Sequence, residues 1–311
     1  MSKKRRERVQ EQKQQKQKQQ NLIVGGGLAV ALLIIAGLIF VNQQGGIGSI
    51  AFRDIHGISF SADGELYVAT HDGLRAYKGG WNVPDVPVND YMGYSGTEDG
   101  FYSSGHPGPT SGLINPLGLV RSTDFGATVA RLGFMGESDF HTMAASYRAE
   151  AVYVFNPAPN SQLDAGMYYT LDDGQTWQAS AASGLSAQPG VFAVHPDNAS
   201  TIAAVTRSGV YLSNDNGASF QTISNNPASA AAFDTDDGST LYLGYQDLTV
   251  YNTEDGTTET RDVPSLSADE VIIYIAISPV DGQIAIATSE RDVYITDGDS
   301  WKQVVTGGSS S

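Results

Sequence analysis

The chain has 311 residues, no cysteine, and 34 acidic against 18 basic residues, a net charge of −16. The absence of cysteine excludes a disulfide frame and any thiolate-held metal. The acid excess argues against nucleic acid as a partner. Residues 1–21 form a basic, Gln-rich arm carrying eight Lys/Arg and two Glu, which leaves 10 basic against 32 acidic residues, or −22, for the rest. Residues 22–42 follow as an apolar stretch, with no charged residue from Leu22 to Val41. At ~1.5 Å per residue a helix of that length crosses a hydrocarbon core of ~30 Å. With the positive charge on its N-terminal side, the arm is expected in the cytoplasm and the remainder outside it, in a single-pass topology. No A-x-A-like cleavage site follows Val41, so the span is expected to remain as an anchor. Anionic lipid is the expected partner of the arm, which has no aromatic residue to stack on bases.

A linker is expected over 43–53, a repeat region over 54–305 and a flexible tail over 306–311. The repeat reads Ser122-Thr-Asp124-Phe-Gly126-Ala-Thr128, returns as Thr170-Leu-Asp172-Asp-Gly174-Gln-Thr176-Trp177, and again as Ser213-Asn-Asp215-Asn-Gly217-Ala-Ser219-Phe220. Asn252-Thr-Glu254-Asp-Gly256 is a weaker copy, and Thr296-Asp297-Gly298-Asp-Ser300-Trp301 a shortened one. Each copy predicts a self-sufficient hairpin turn. The Asp accepts N–H groups of its own turn, the Gly supplies a positive φ, and the hydroxyl closes a second bond. A recurrence every ~40 residues is the mark of a repeat architecture.

Between the turns, short apolar strands come in sets. Unit one is expected over Ile55–Phe60, Leu66–Thr70 and Leu74–Tyr77, closing on Trp81. Unit two is irregular, with a Gly/Pro-rich loop from Pro107 to Pro116. Unit three takes Phe140–Ala144, Ala151–Phe155, Met167–Thr170 and Trp177; unit four takes Val191–Val194, Thr201–Val205, Val210–Ser213 and Phe220. Units five and six begin at Ala230 and Ile273. The expected fold is all-β: a β-propeller of about six four-stranded blades, preceded by one N-terminal transmembrane helix.

The repeated turn resembles the Asp box, or BNR repeat, of sialidases, sortilin-type receptors and the photosystem II assembly propeller. The chain also resembles bacterial exported Asp-box proteins labelled glycosyl hydrolase-like, through His56-Gly57, Thr70-His71-Asp72-Gly73-Leu74, Ser104-Gly105-His106-Pro107 and Asp139-Phe140-His141. That resemblance covers residues 54–180, and the later units only through the repeats. It implies a propeller, with Asp boxes away from the ligand site. Sialidases of this type carry an Arg-Ile-Pro stretch and an arginine cluster. Here the nearest stretch is Phe52-Arg53-Asp54-Ile55, without the Pro, and only Arg53 and Arg207 register to the rim.

In this architecture, starts of inner strands and ends of second strands share one rim of the central channel, where propellers place their ligands. Four of the five histidines register there: His56 and His141 at inner strands, His71 and His106 after second strands. Asp54 and Asp139 lie two residues before His56 and His141, on the same side of an extended strand. Asn156, Arg207, Tyr245 and Ser289 take the matching rim positions of later blades. His195 falls on the opposite face and reads as a turn residue.

Two readings of the rim stand side by side. In one, the imidazoles bond to neighbouring groups and pack the channel mouth. In the other, His56, His71, His106 and His141 hold a transition-metal ion, zinc or copper, with Asp54, Asp139, Arg207 and Asn156 completing a ligand site. The expected occupant of the mouth is a small ligand, a glycan or a partner protein, with no nucleic acid. An exported glycoside hydrolase of sialidase-like type, using rim carboxylates, is the alternative.

Overall fold

Alternating apolar residues pair each short strand with its chain neighbour, and the pairing repeats six times around an axis. The computed structural model describes residues 49–310; the basic arm, the apolar span and most of the linker lie outside the described residues. Blade 1 runs Ile55–Phe60, Leu66–Thr70, Gly73–Tyr77 and Trp81–Asn82, each antiparallel to the next. Blades 3, 4 and 5 repeat this order, starting from Met143–Ala145, Pro189–Val194 and Ala230–Phe233. Blade 6 starts at Ile272–Ile277 and carries a fifth strand. Inner strands of successive blades touch in a closed ring, the sixth against the first. No helix among the described residues is long and apolar enough to cross a membrane.

The second strands depart from alternation for a physical reason. Leu66–Thr70, Ile202–Thr206 and Ile284–Thr288 are buried at every position, because each blade is covered on both faces by its neighbours. The core is accordingly divided into six clusters lying between blades. Ile58, Phe60, Leu66 and Trp81 of blade 1 meet Ala285, Val293 and Val304 of blade 6. Tyr153 and Met167 of blade 3 meet Phe192 and Ile202 of blade 4.

Blade 2 is built from Ser95–Thr97, Gly100–Ser103, Leu119–Ser122 and Ala130–Gly133. Residues 104–118 are inserted between its second and third strands. From this insertion His106–Pro107 pairs with Asn89–Asp90 in a separate two-stranded ribbon.

The three strong copies of the repeat form one hydrogen-bond pattern. In the last, Ser213 Oγ donates to Asp215 Oδ1 at 2.7 Å and accepts from Gly217 N at 3.0 Å, while Ser219 N and Oγ donate to the carboxylate at 2.9 and 2.6 Å. The bonds around Asp124 and Asp172 match it. The residue between Asp and Gly is also left-handed: φ is 49° at Phe125, 56° at Asp173 and 57° at Asn216. By strand alternation these turns lie at the blade end opposite the histidine rim.

The C-terminal residues do not fray as expected. Thr306 pairs with Ser309 across Gly307 and Gly308, whose φ values of 56° and 80° suit a two-residue hairpin turn. The returning strand, Ser309–Ser310, meets the start of the ring: Phe52 N donates to Gly308 O at 2.8 Å and Ser310 N to Ile50 O at 2.9 Å. Trp81 Nε1 donates to Val304 O at 2.8 Å across the same seam.

Candidate functional site

His56 occupies a β-bulge. The ladder of blade 1 passes from Ile55 opposite Thr70 to Gly57 opposite Ala69, leaving His56 as the extra residue. The same irregularity recurs in blades 4 and 6, at Gly190 and Ile273, so the fold provides the bulge and blade 1 puts an imidazole on it. A bulge re-aims its side chain. No hydrogen bond or ion pair joins His56 to Asp54 among the described residues, and Asp54 is exposed with a φ of 44°. His71 follows the second strand, its N–H held by Arg53 O at 2.8 Å and Asp54 O at 3.1 Å.

The carboxylate that these two rings meet is Asp90, on the ribbon between blades 1 and 2. His71 Nδ1 is 2.8 Å from Asp90 Oδ2 and His56 Nε2 is 3.1 Å from Asp90 Oδ1. Asp90 is buried and its side chain only 9% exposed. Gly105 lets the insertion lie against it, since a Cβ there would fall 2.1 Å from Asp90 O, at a φ of +116°. One ligand atom from each of His56, His71 and Asp90 lies within 4.8 Å of the others. Ligands ~2.0–2.1 Å from one tetrahedral ion stand about 3.3 Å apart, a separation that falls inside this bound.

Two of these atoms are unusual. His56 Nε2 and Asp90 Oδ1 are buried, and neither makes a hydrogen bond among the described residues, although they are 3.1 Å apart. Burial holds the His56 imidazole below its ordinary 6.5, with the Asp90 and Asp54 carboxylates pulling the other way. The ring is thus biased to its neutral form, the form that ligates.

The other two histidines converge elsewhere. His141 Nε2 is 2.7 Å and His106 Nε2 3.3 Å from the same oxygen, Asp139 Oδ2. His106 Nδ1 lies 2.7 Å from Asn115 Oδ1. The Asp139–His141 pairing expected from the i, i+2 spacing is present, but in the turn before the strand Met143–Ala145. The four histidines therefore form two pairs, each around its own carboxylate, and the pairs adjoin because Asp90 and His106 are partners in the ribbon.

Asn156 and Arg207 stand apart from both sets. Asn156 is fully buried, and its amide donates to Asp164 O at 2.8 Å, tying down the loop after its strand. Arg207 is exposed in the turn between Thr206 and Gly209. His195 caps its own turn, its Nδ1 accepting from Asp197 N at 3.2 Å and Asn198 N at 3.1 Å. Asp90 and Asn115 are the residues that sequence reasoning missed. The available signal was position: like Asp54 and Asp139, Asp90 stands just ahead of an inner strand.

Beneath the mouth lies a cavity of about 380 Å³ walled by inner strands of all six blades. His56 and His141 are its titratable rim groups apart from tyrosines, and no Asp, Glu, Lys or Arg lines it.

No family model matches the chain, and no curated protein matches it. Among solved structures, it is similar to the GH74 enzyme of Niastella koreensis, with a TM-score of 0.53 and 17% identity over 84% of this chain and 47% of that one. It is also similar to the extracellular domain of a hybrid two component system from B. thetaiotaomicron, with a TM-score of 0.52 and 14% identity over 83% of this chain and 34% of that one. The chain thus spans less than half the length of either. At these identities the likeness is one of fold, and the fold it supports is the six-bladed propeller.

Proposed function

We propose that this chain is a single-pass membrane protein displaying its propeller outside the cytoplasm, and that the His-bearing rim binds one transition-metal ion, zinc or copper. The ligands are His56, His71 and Asp90, and a fourth position faces the channel mouth for a small ligand. The observation that carries this reading is the Asp90 carboxylate. It is buried, shared by two imidazoles, and approached by a His56 nitrogen without a hydrogen bond. A buried charge is costly unless paired or coordinating a metal, and a cation between these atoms satisfies all of them. Two imidazoles and one carboxylate, with a fourth position left open, are a recurrent catalytic arrangement for zinc. His106 and His141, held on Asp139, are assigned to the ligand's side of the mouth.

The test is elemental analysis of the full chain in lipid nanodiscs after exposure to zinc or copper and removal of free ion. One ion per chain is expected, lost in His71→Ala and Asp90→Ala and kept in His141→Ala. No bound ion, or equal loss in all three, overturns the reading. Glycoside hydrolysis that survives chelation and is lost on changing Asp90 or Asp139 supports the hydrolase alternative instead.

A further inference from the structure

We infer, resting on the metal reading above, that the two histidine pairs form one hydrolytic site for a small uncharged ester, in which His141, aimed by Asp139, takes a proton from water at the ion's open position. The two pairs are mounted on segments that interlock. Phe140 N donates to Ser104 Oγ at 2.9 Å, in the segment that leads into Gly105 and His106. A Cβ on Gly93, three residues past Asp90, would fall 2.2 Å from Phe140 O. The backbones carrying Asp90, His106 and His141 therefore meet in one place, and His56 and His141 line the same channel mouth. Burial is the main cause that holds the His56 imidazole down, and His71 and His141 add to it.

Hydrogen bonding decides which nitrogen of His141 is free. A carboxylate only accepts, so the 2.7 Å contact with Asp139 Oδ2 places the ring proton on Nε2. Nδ1 is then the lone-pair nitrogen, without a hydrogen-bond partner among the described residues, on a side chain that is 59% exposed. Asp139 is itself held in place: it also meets His106 Nε2 at 3.3 Å, and His106 Nδ1 donates to Asn115 Oδ1 at 2.7 Å. An imidazole aimed by a carboxylate, with its second nitrogen open, is the arrangement of a general base.

The step balances without any further reagent. His141 Nδ1 takes a proton from the water as the water oxygen bonds to the acyl carbon. The bond from that carbon to the leaving oxygen then breaks, its electron pair departs with the oxygen, and the proton on His141 passes to it. One ester and one water give one acid and one alcohol. The channel beneath the mouth favours an uncharged substrate. It has no Asp, Glu, Lys or Arg in its wall, and each inner strand is the end strand of its sheet, turning a free backbone edge inward. Such a wall hydrogen-bonds a neutral polar molecule and gives no counter-charge to an ionic one.

The experiment uses the full chain in nanodiscs, loaded with zinc, and p-nitrophenyl acetate as the probe ester. Hydrolysis is expected above that of the zinc-free chain. His141→Ala is expected to keep its zinc and its KM and to lower kcat about a hundredfold, the scale of general-base catalysis. Added imidazole is expected to restore part of the loss, which a merely structural role would not allow. Asp139→Asn is expected to lower kcat with zinc and KM kept, and without recovery in imidazole. Nitrogen NMR of the labelled chain, with His141→Ala to assign the ring, is expected to find the His141 proton on Nε2. Zinc bound without hydrolysis, a rate indifferent to either substitution, a loss in His141→Ala that imidazole leaves untouched, or a proton on Nδ1 overturns this inference alone. Failure to bind zinc overturns the metal reading, and this inference with it.

Discussion

Asp90 and His106 face each other across a ribbon two residues long, so the carboxylate of one histidine pair and an imidazole of the other are carried on paired backbones. The two halves of the rim are therefore mechanically linked. Gly105 sits beside this contact, in a left-handed conformation and with its missing Cβ directed at Asp90 O.

Gly105→Ala is accordingly expected to act on the site at a distance from any ligand. The substitution forces the ribbon apart or strains the backbone, at a cost of about 1–3 kcal/mol. Zinc retention should fall along with thermal stability, as measured by elemental analysis and calorimetry. Retention unchanged beside a clear loss of stability breaks the link between ribbon and site.

The C-terminal hairpin is expected to contribute to stability. Deleting residues 307–311 removes the bonds of Phe52 N and Ser310 N, together with that of Ile50 N to Ser310 Oγ at 2.8 Å. Three bonds at about 0.5–1.5 kcal/mol each predict a loss of about 1.5–4.5 kcal/mol. Urea unfolding of the truncated chain checks it. An unchanged midpoint means that the seam is held by the Trp81–Val304 contact and the packing around it.

Acid stability should depend on the repeated turns. Hydrogen bonds from Ser219 and Ser213 hold the Asp215 carboxyl down to about 2, and those from Thr128 and Thr176 lower Asp124 and Asp172. A carboxyl depressed in the folded state stabilises above its unfolded pKa of ~3.9. That contribution is lost as pH falls toward the folded value. Asp215→Asn is therefore expected to destabilise at pH 5 and to converge on the parent as pH falls from 4 to 2. A constant difference across that range sinks the assignment.

The membrane topology is checked by a reporter fused after Ser311. It is expected to be protease-accessible on intact cells, with the protein in the membrane fraction after a salt wash. Release of a shortened chain into the medium shows a cleaved leader.

The parts of the fold that were legible in the sequence are the local ones. The turns at Asp124, Asp172 and Asp215 close within seven residues, so their composition suffices to predict them. Most blades followed from short apolar runs between such turns. Blade 2 did not, because its inner strand is only Ser95–Thr97 and its third strand comes after the insertion. The histidine rim was legible as a face, and its partners only in part. Asp139 and His141 meet because they are neighbours in one turn. His56 does not meet Asp54, because the bulge suspends the two-residue period on which that pairing relied. Its actual partner, Asp90, comes from a ribbon whose pairing with His106–Pro107 has no periodic signature.

The seam also joins blade 1 to blade 6 through backbone pairing and not through packing alone. Ile50 and Phe52 are buried against blades 1 and 6, and Ala51 bridges Ser309 in antiparallel register. The Ile50 and Phe52 backbones are held on either side of that bridge, by Ser310 and by Gly308. The last strand among the described residues thereby clamps the segment that leads into the strand carrying His56, so the hairpin at Gly307–Gly308 holds that strand's entry against blade 6.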